Sequence, residues 1–163
     1  MYKDSIWAVI ALTAITGTAA AAGVSMASGS GQHFAFGHPG PGAGPVQVIH
    51  VRVLDTLRFQ PARIVVTRGE TVKFVVDNVG KLMHEFVIGD AAVQAEHEKE
   101  MHAMPGMTME HDVNGVTLPP GKTRDLLWTF TRDGVVEYAC HEPGHFAAGM
   151  VGKIYIEPPG RHG

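Results

Sequence analysis

Between Val46 and Glu157 the chain alternates apolar and polar residues in short runs, and Gly- or Pro-bearing turns separate most of the runs. A period of two sends successive side chains to opposite faces of an extended strand, so this stretch reads as β-structure. Thr71 to Asn78 is the clearest central strand, with Val72, Phe74 and Val76 on one face and Lys73, Val75 and Asp77 on the other. Val46 to Asp55 precedes it, stiffened by β-branched Ile49, Val51 and Val53, then a short edge piece over Leu57 to Phe59 and a strand over Ile64 to Thr67. His84 to Ile88, Val113 to Leu118, Thr123 to Thr131, Val135 to Cys140 and Val151 to Glu157 read as the later strands. Turns fall at Arg68-Gly69-Glu70, Val79-Gly80-Lys81, Pro119 to Lys122 and Asp133-Gly134. About eight short strands with such turns predict an all-β domain, a Greek-key β-sandwich or a barrel.

One segment departs from the pattern. Residues 90–112 lack alternation, and Ala91 to Met104 holds good helix formers that Pro105-Gly106 would stop. The domain is therefore expected over 46–158, with a partly helical insert at 90–112. Before it, residues 28–45 are a Gly/Pro-rich stretch read as a flexible tether carrying His33 and His38, and residues 159–163 a disordered tail. Residues 1–27 read as an export signal: Lys3, an apolar stretch from Ile6 to Ala22, then small-x-small cleavage sites ending at Ala22 or Ala27. A retained membrane anchor is the alternative, on a stretch of about 17 Ala- and Thr-rich residues, the short end for spanning. Later apolar runs are all too short to cross.

With 163 residues the chain has room for one domain. A net charge of -3 gives no basic face for nucleic acid. The single cysteine is more telling, because an exported chain normally carries disulfides and one thiol cannot form one internally. Its surroundings suggest a metal ligand. Cys140, His145 and Met150 stand at Cys-x4-His-x4-Met between the end of one strand and the start of the next, with Pro143, Gly144 and Gly149 to turn the loop. Thiolate and thioether donors select copper, and two imidazoles, a thiolate and a distant methionine make a blue electron-transfer site.

This loop resembles the C-terminal copper loop of the cupredoxins, the plastocyanin and azurin group, and its spacing is most similar to the rusticyanin and auracyanin branch. The family takes a further imidazole from an earlier strand, and Asn78-Val79-Gly80-Lys81-Leu82-Met83-His84 matches that element. The resemblance covers roughly residues 46 to 157. It implies a cupredoxin sandwich holding one type 1 copper, with His84 and His145 as equatorial ligands, Cys140 as thiolate and Met150 as weak axial ligand. Met83 competes with Met150 on paper, but its place next to His84 in an extended segment sends it to the opposite face. The family's Asn after the first histidine is replaced by Glu85, which must either point away from the sulfur or stay protonated. His141 flanks Cys140 on one side only, Ala139 on the other, and paired His-x-His motifs are lacking. Multicopper oxidase or nitrite reductase chemistry is thus not implied, no catalytic residues are expected, and Glu85 and His141 are placed beside the ligands rather than among them.

The insert gathers a second set of copper-type donors: His97, Met101, His102, Met104, Met107, Met109 and His111. Methionine pairs suit Cu(I) and histidines Cu(II), so the insert is a candidate secondary copper site. The opposing reading is a surface segment whose methionines pack as flexible filler. The first reading points to a periplasmic protein of copper tolerance that binds copper and cycles its redox state. The second leaves an electron-transfer shuttle. Either role implies a redox protein or a copper donor or acceptor as partner, a monomer, and no membrane span after signal cleavage.

Overall fold

A computed structural model describes residues 34–41, 44, 46–104 and 112–160. The expectations for the leader at 1–27, for most of the tether before Phe34 and for the extreme C-terminus lie outside the described residues. So do those for Met107, Met109 and His111.

Among the described residues, ten strands and one helix are formed in the order β1 (Gly37–Pro39), β2 (Val46–Leu54), β3 (Arg58–Gln60), β4 (Arg63–Thr67), β5 (Thr71–Asn78), β6 (His84–Gly89), α1 (Ala91–Ala103), β7 (Gly115–Leu118), β8 (Thr123–Phe130), β9 (Gly134–Ala139) and β10 (Val151–Glu157). They build two five-stranded sheets, β1-β8-β5-β2-β3 and β4-β10-β9-β6-β7, so the chain passes repeatedly from one sheet to the other. Two pairs, β2 with β5 and β4 with β10, run parallel, and the others are antiparallel. The result is the expected all-β sandwich rather than a closed barrel, because β1, β3, β4 and β7 are edges.

Alternation decides the faces. In β5, Val72, Phe74 and Val76 are fully buried while Lys73, Val75 and Asp77 lie half-exposed, as the sequence pattern requires. Rings from both sheets meet in the middle: Phe59 of β3 contacts Tyr138 of β9 and Phe86 of β6, and Phe74 of β5 contacts Phe86. Each such ring, taken from water, contributes about 1.5–3 kcal/mol. Strand β6 differs from the rest, because all six of its residues are buried. One face looks into the sandwich and α1 covers the other. Helix α1 begins at Asp90, whose side chain accepts from the amides of Ala92 and Val93, and it buries Gln94, His97 and Met101 at helical spacing. The Gln94 amide donates to the carbonyls of Val87 on β6 and Glu137 on β9, tying the helix to both strands.

The tether reading of residues 28–45 is revised in part. Among its described residues, Gly37–Pro39 pair with β8, and Phe36 is buried against the Trp128 ring, with Phe34 also in contact. Two aromatic side chains among many Gly and Pro residues are enough to anchor a three-residue edge strand, though they carry no periodicity.

Gly152 of β10 lies under the Tyr138 ring, where an added methyl would run into the ring at Cζ. Overpacking of that kind costs about 1–3 kcal/mol. Gly152→Ala should therefore lower the free energy of unfolding by that order, read as a lower urea midpoint at unchanged slope.

Candidate metal centre

The antiparallel pairing of β6 with β9 brings the start of one strand and the end of the other to the same end of the sandwich. His84 opens β6, Cys140 follows β9, and His145 stands in the loop that leads back to β10. The donor atoms of these three residues lie within 4.8 Å of one another, and no other such trio of His, Cys, Asp or Glu is found among the described residues. Cys140 Sγ is 3.8 Å from His84 Nδ1 and 3.3 Å from His145 Nδ1. Metal–N bonds of ~2.0 Å and metal–S bonds of ~2.3 Å at trigonal to tetrahedral angles would separate the donors by about 3.6 Å. The observed edges bracket that value, so the residues fit a single ion of the softer kind.

The loop is held by its own backbone. The His145 amide donates to Glu142 O, that of Met150 to His145 O, and that of Cys140 to Met150 O at 3.2 Å. Gly144 and Gly149 turn it at φ +84° and +81°, values that favour glycine. Met150 is fully buried within this loop, whereas Met83 is exposed. Asn78, buried at the end of β5, donates to the carbonyls of Leu82 and Leu118 and so pins the turn before His84.

Burial sets the protonation of these donors. It pushes the Cys140 thiol up to about 12, against the Glu85 and Glu142 amides that pull it down. Burial also lowers His84 and His145, leaving them neutral at neutral pH with lone pairs to give. The Nε2 of His84 is 3.7 Å from the Asp55 carboxylate, which itself accepts from the amides of Lys81 and Leu82. Asp55 thus sits behind the His84 ring, at ion-pair rather than hydrogen-bond distance.

Around Cys140 lies a buried polar cluster. The Glu85 amide donates to Cys140 Sγ at 3.3 Å, while the Glu85 carboxylate, 1 % exposed, faces His97 Nε2 at 3.5 Å. His97 Nδ1 faces Asp112 at 3.4 Å. His141 is clasped by Glu98 at 2.6 Å and Gln94 at 2.7 Å, and its ring stacks on Phe146 and meets that of His97 edge-on. Glu85 and His141 thus stand beside the trio, and Glu85 turns its carboxylate to the insert helix. Sequence reasoning missed Asp55, Gln94, Glu98 and Asp112. The Gln94, His97, Met101 spacing was the legible signal for a buried polar helix face. Nothing local marked Asp55.

The described donors of the insert divide between two faces. His97 and Met101 are buried, and His102 and Met104 are exposed.

The family model for copper binding proteins of the plastocyanin/azurin family matches residues 47–157. Over 121 residues the chain is 46% identical to the copper-resistant cuproprotein CopI of Rubrivivax gelatinosus, covering 74% of this chain and 73% of that protein. It is 41% identical over 152 residues to CopI of Pseudomonas aeruginosa, with 76% and 83% covered. In fold it is similar to dithionite-reduced auracyanin of Roseiflexus castenholzii, with a TM-score of 0.62 at 24% identity over 71% of this chain and all of that one.

A thiol that stays protonated to about pH 12 must lose its proton to bind metal. Copper uptake should therefore release about one proton, and apparent affinity should rise about tenfold per pH unit through the neutral range. Below the lowered pKa values of His84 and His145 the slope should steepen. Competition titrations across pH read both effects.

Proposed function

Because the chain belongs to the plastocyanin/azurin family of copper-binding proteins, we propose that it is an exported protein of copper tolerance that holds one type 1 copper at His84, Cys140, His145 and Met150. The observation that carries the reading is the 41–46% identity to copper-resistant cuproproteins across three quarters of the chain. The ligand set is supported by the convergence of His84, Cys140 and His145, and by the burial of Met150 in the same loop. Copper bound there would supply reversible one-electron chemistry. The protein's part is to offer neutral imidazoles, a desolvated sulfur and a loop that is already closed by its own hydrogen bonds. The role is binding and redox cycling of copper rather than turnover of an organic substrate. The apolar leader between Ile6 and Ala22 supports action in the periplasm, with a redox protein or a copper donor or acceptor as partner.

Among the described residues no helix is long and apolar enough to cross a membrane. An electron-transfer shuttle is the second reading. It is favoured by exposed Val79, Leu82 and Met83, an apolar surface just before His84 on which a redox partner could dock.

Cys140→Ser should abolish the intense thiolate-to-copper band and, in a strain lacking the native protein, fail to restore growth in elevated copper. Loss of the band with full copper tolerance would leave the metal site standing and remove the tolerance role. An unaltered band would show that Cys140 is not a ligand.

A further inference from the structure

Strand β6 carries His84 and is buried on both faces, with the insert helix lying over the outer one. Glu85 points to that outer face. Its Oε2 and the Nε2 of His97 are both buried and lack hydrogen-bond partners, yet they face each other at 3.5 Å. A carboxylate sealed from water without a counter-charge is among the costliest groups a protein can hold. The same residue gives its amide to the Cys140 sulfur. One residue thus joins the buried carboxylate to the amide on the sulfur, next to His84, so a shift of β6 at Glu85 would disturb both that hydrogen bond and the neighbouring His84.

We propose that His97 is a positioning residue of the copper centre, a buried imidazole that α1 delivers between Glu85 and Asp112 so that the Glu85 amide stays on the Cys140 sulfur. On this view the insert helix serves the type 1 site from behind, and His97 is spent on Glu85 rather than on a second copper. The inference rests on copper being held at Cys140.

Three observations support it. His97 is 5% exposed and presents one ring nitrogen to each carboxylate, at the ion-pair distances of 3.5 Å to Glu85 and 3.4 Å to Asp112. Burial by itself would lower the His97 pKa, but Asp112 and Glu85 together outweigh it and push it up to about 9. The ring is also fixed laterally by His141, which Glu98 and Gln94 of the same helix hold. A residue needed only to pack α1 on the sandwich would be served by an apolar side chain, as Met101 is one turn further on.

The test compares His97→Gln, Glu85→Gln/His97→Gln and the parent protein. Glutamine keeps polarity and much of the volume but cannot carry charge. With copper bound, H97Q leaves an uncompensated carboxylate near the sulfur, and the Cu(II):Cu(I) ratio at a fixed poise should rise about tenfold, ~59 mV for one electron. The double variant, with the carboxylate neutralised, should return close to the parent. In copper-free protein, hydrogen exchange at the Glu85 amide should be about tenfold faster in H97Q and recover in the double variant. An unchanged potential and unchanged exchange in H97Q, or a double variant as perturbed as the single one, would reduce His97 to helix packing. If H97Q does not fold, a folded double variant supports the pairing and failure of both overturns it. Absence of the thiolate band in the parent would remove copper from Cys140 and with it the copper part of the inference. The exchange measurement would still decide the Glu85–His97 pairing.

Discussion

The hydrogen bond from the Glu85 amide to the Cys140 sulfur joins the two halves of the centre. A thiolate buried in a protein needs donors aimed at it, and a strand amide supplies one without side-chain entropy. That donor is available only because β6 and β9 are neighbours in one sheet, with β6 beginning where β9 ends. The same pairing puts His84 within reach of the sulfur, so the separation of His84 from Cys140 and His145 along the chain is cancelled by sheet topology.

The rest of the molecule can be understood as keeping that edge rigid and dry. The aromatic rings between the sheets fix the separation of β5 from β6, and Asn78 and Asp55 hold the connecting turn from two sides. Helix α1 closes the outer face of β6. It does so with a polar surface, Gln94, His97 and Glu98, rather than with the apolar stripe usual for a helix on a sheet. Polar closure is demanding, since buried polar groups need partners, and the groups that face this surface are Val87 and Glu85 on β6, Glu137 on β9, His141 beside Cys140, and Asp112 before β7.

Much of this was legible in the sequence. Alternation at Thr71 to Asn78 and Thr123 to Thr131 placed strands and faces, and the helix over Ala91–Ala103 followed from composition and the Pro105-Gly106 stop. The spacing around Cys140 brought His145 and Met150 into view together. Strand β1 escaped because three residues in a Gly/Pro-rich stretch have no period, and only the Trp128 ring reveals why Phe36 settles there. Asp55 escaped because it lies 29 positions from His84 and touches it only after the turn between β5 and β6 has folded back. His97 was visible as a histidine but not as to its partners, because a helical period tells which residues share a face and not what that face meets.

The sequence by itself determined the kind of fold and the chemistry of the donors, since the first depends on a local period of two and the second on which side chains are present and how closely the loop spaces them. Tertiary structure alone decided how closely His84 approaches Cys140, that Glu85 turns to the insert and that His97 lies between two carboxylates. Those contacts join elements far apart in the chain, and their distances are set by strand pairing and helix packing, which no local pattern encodes.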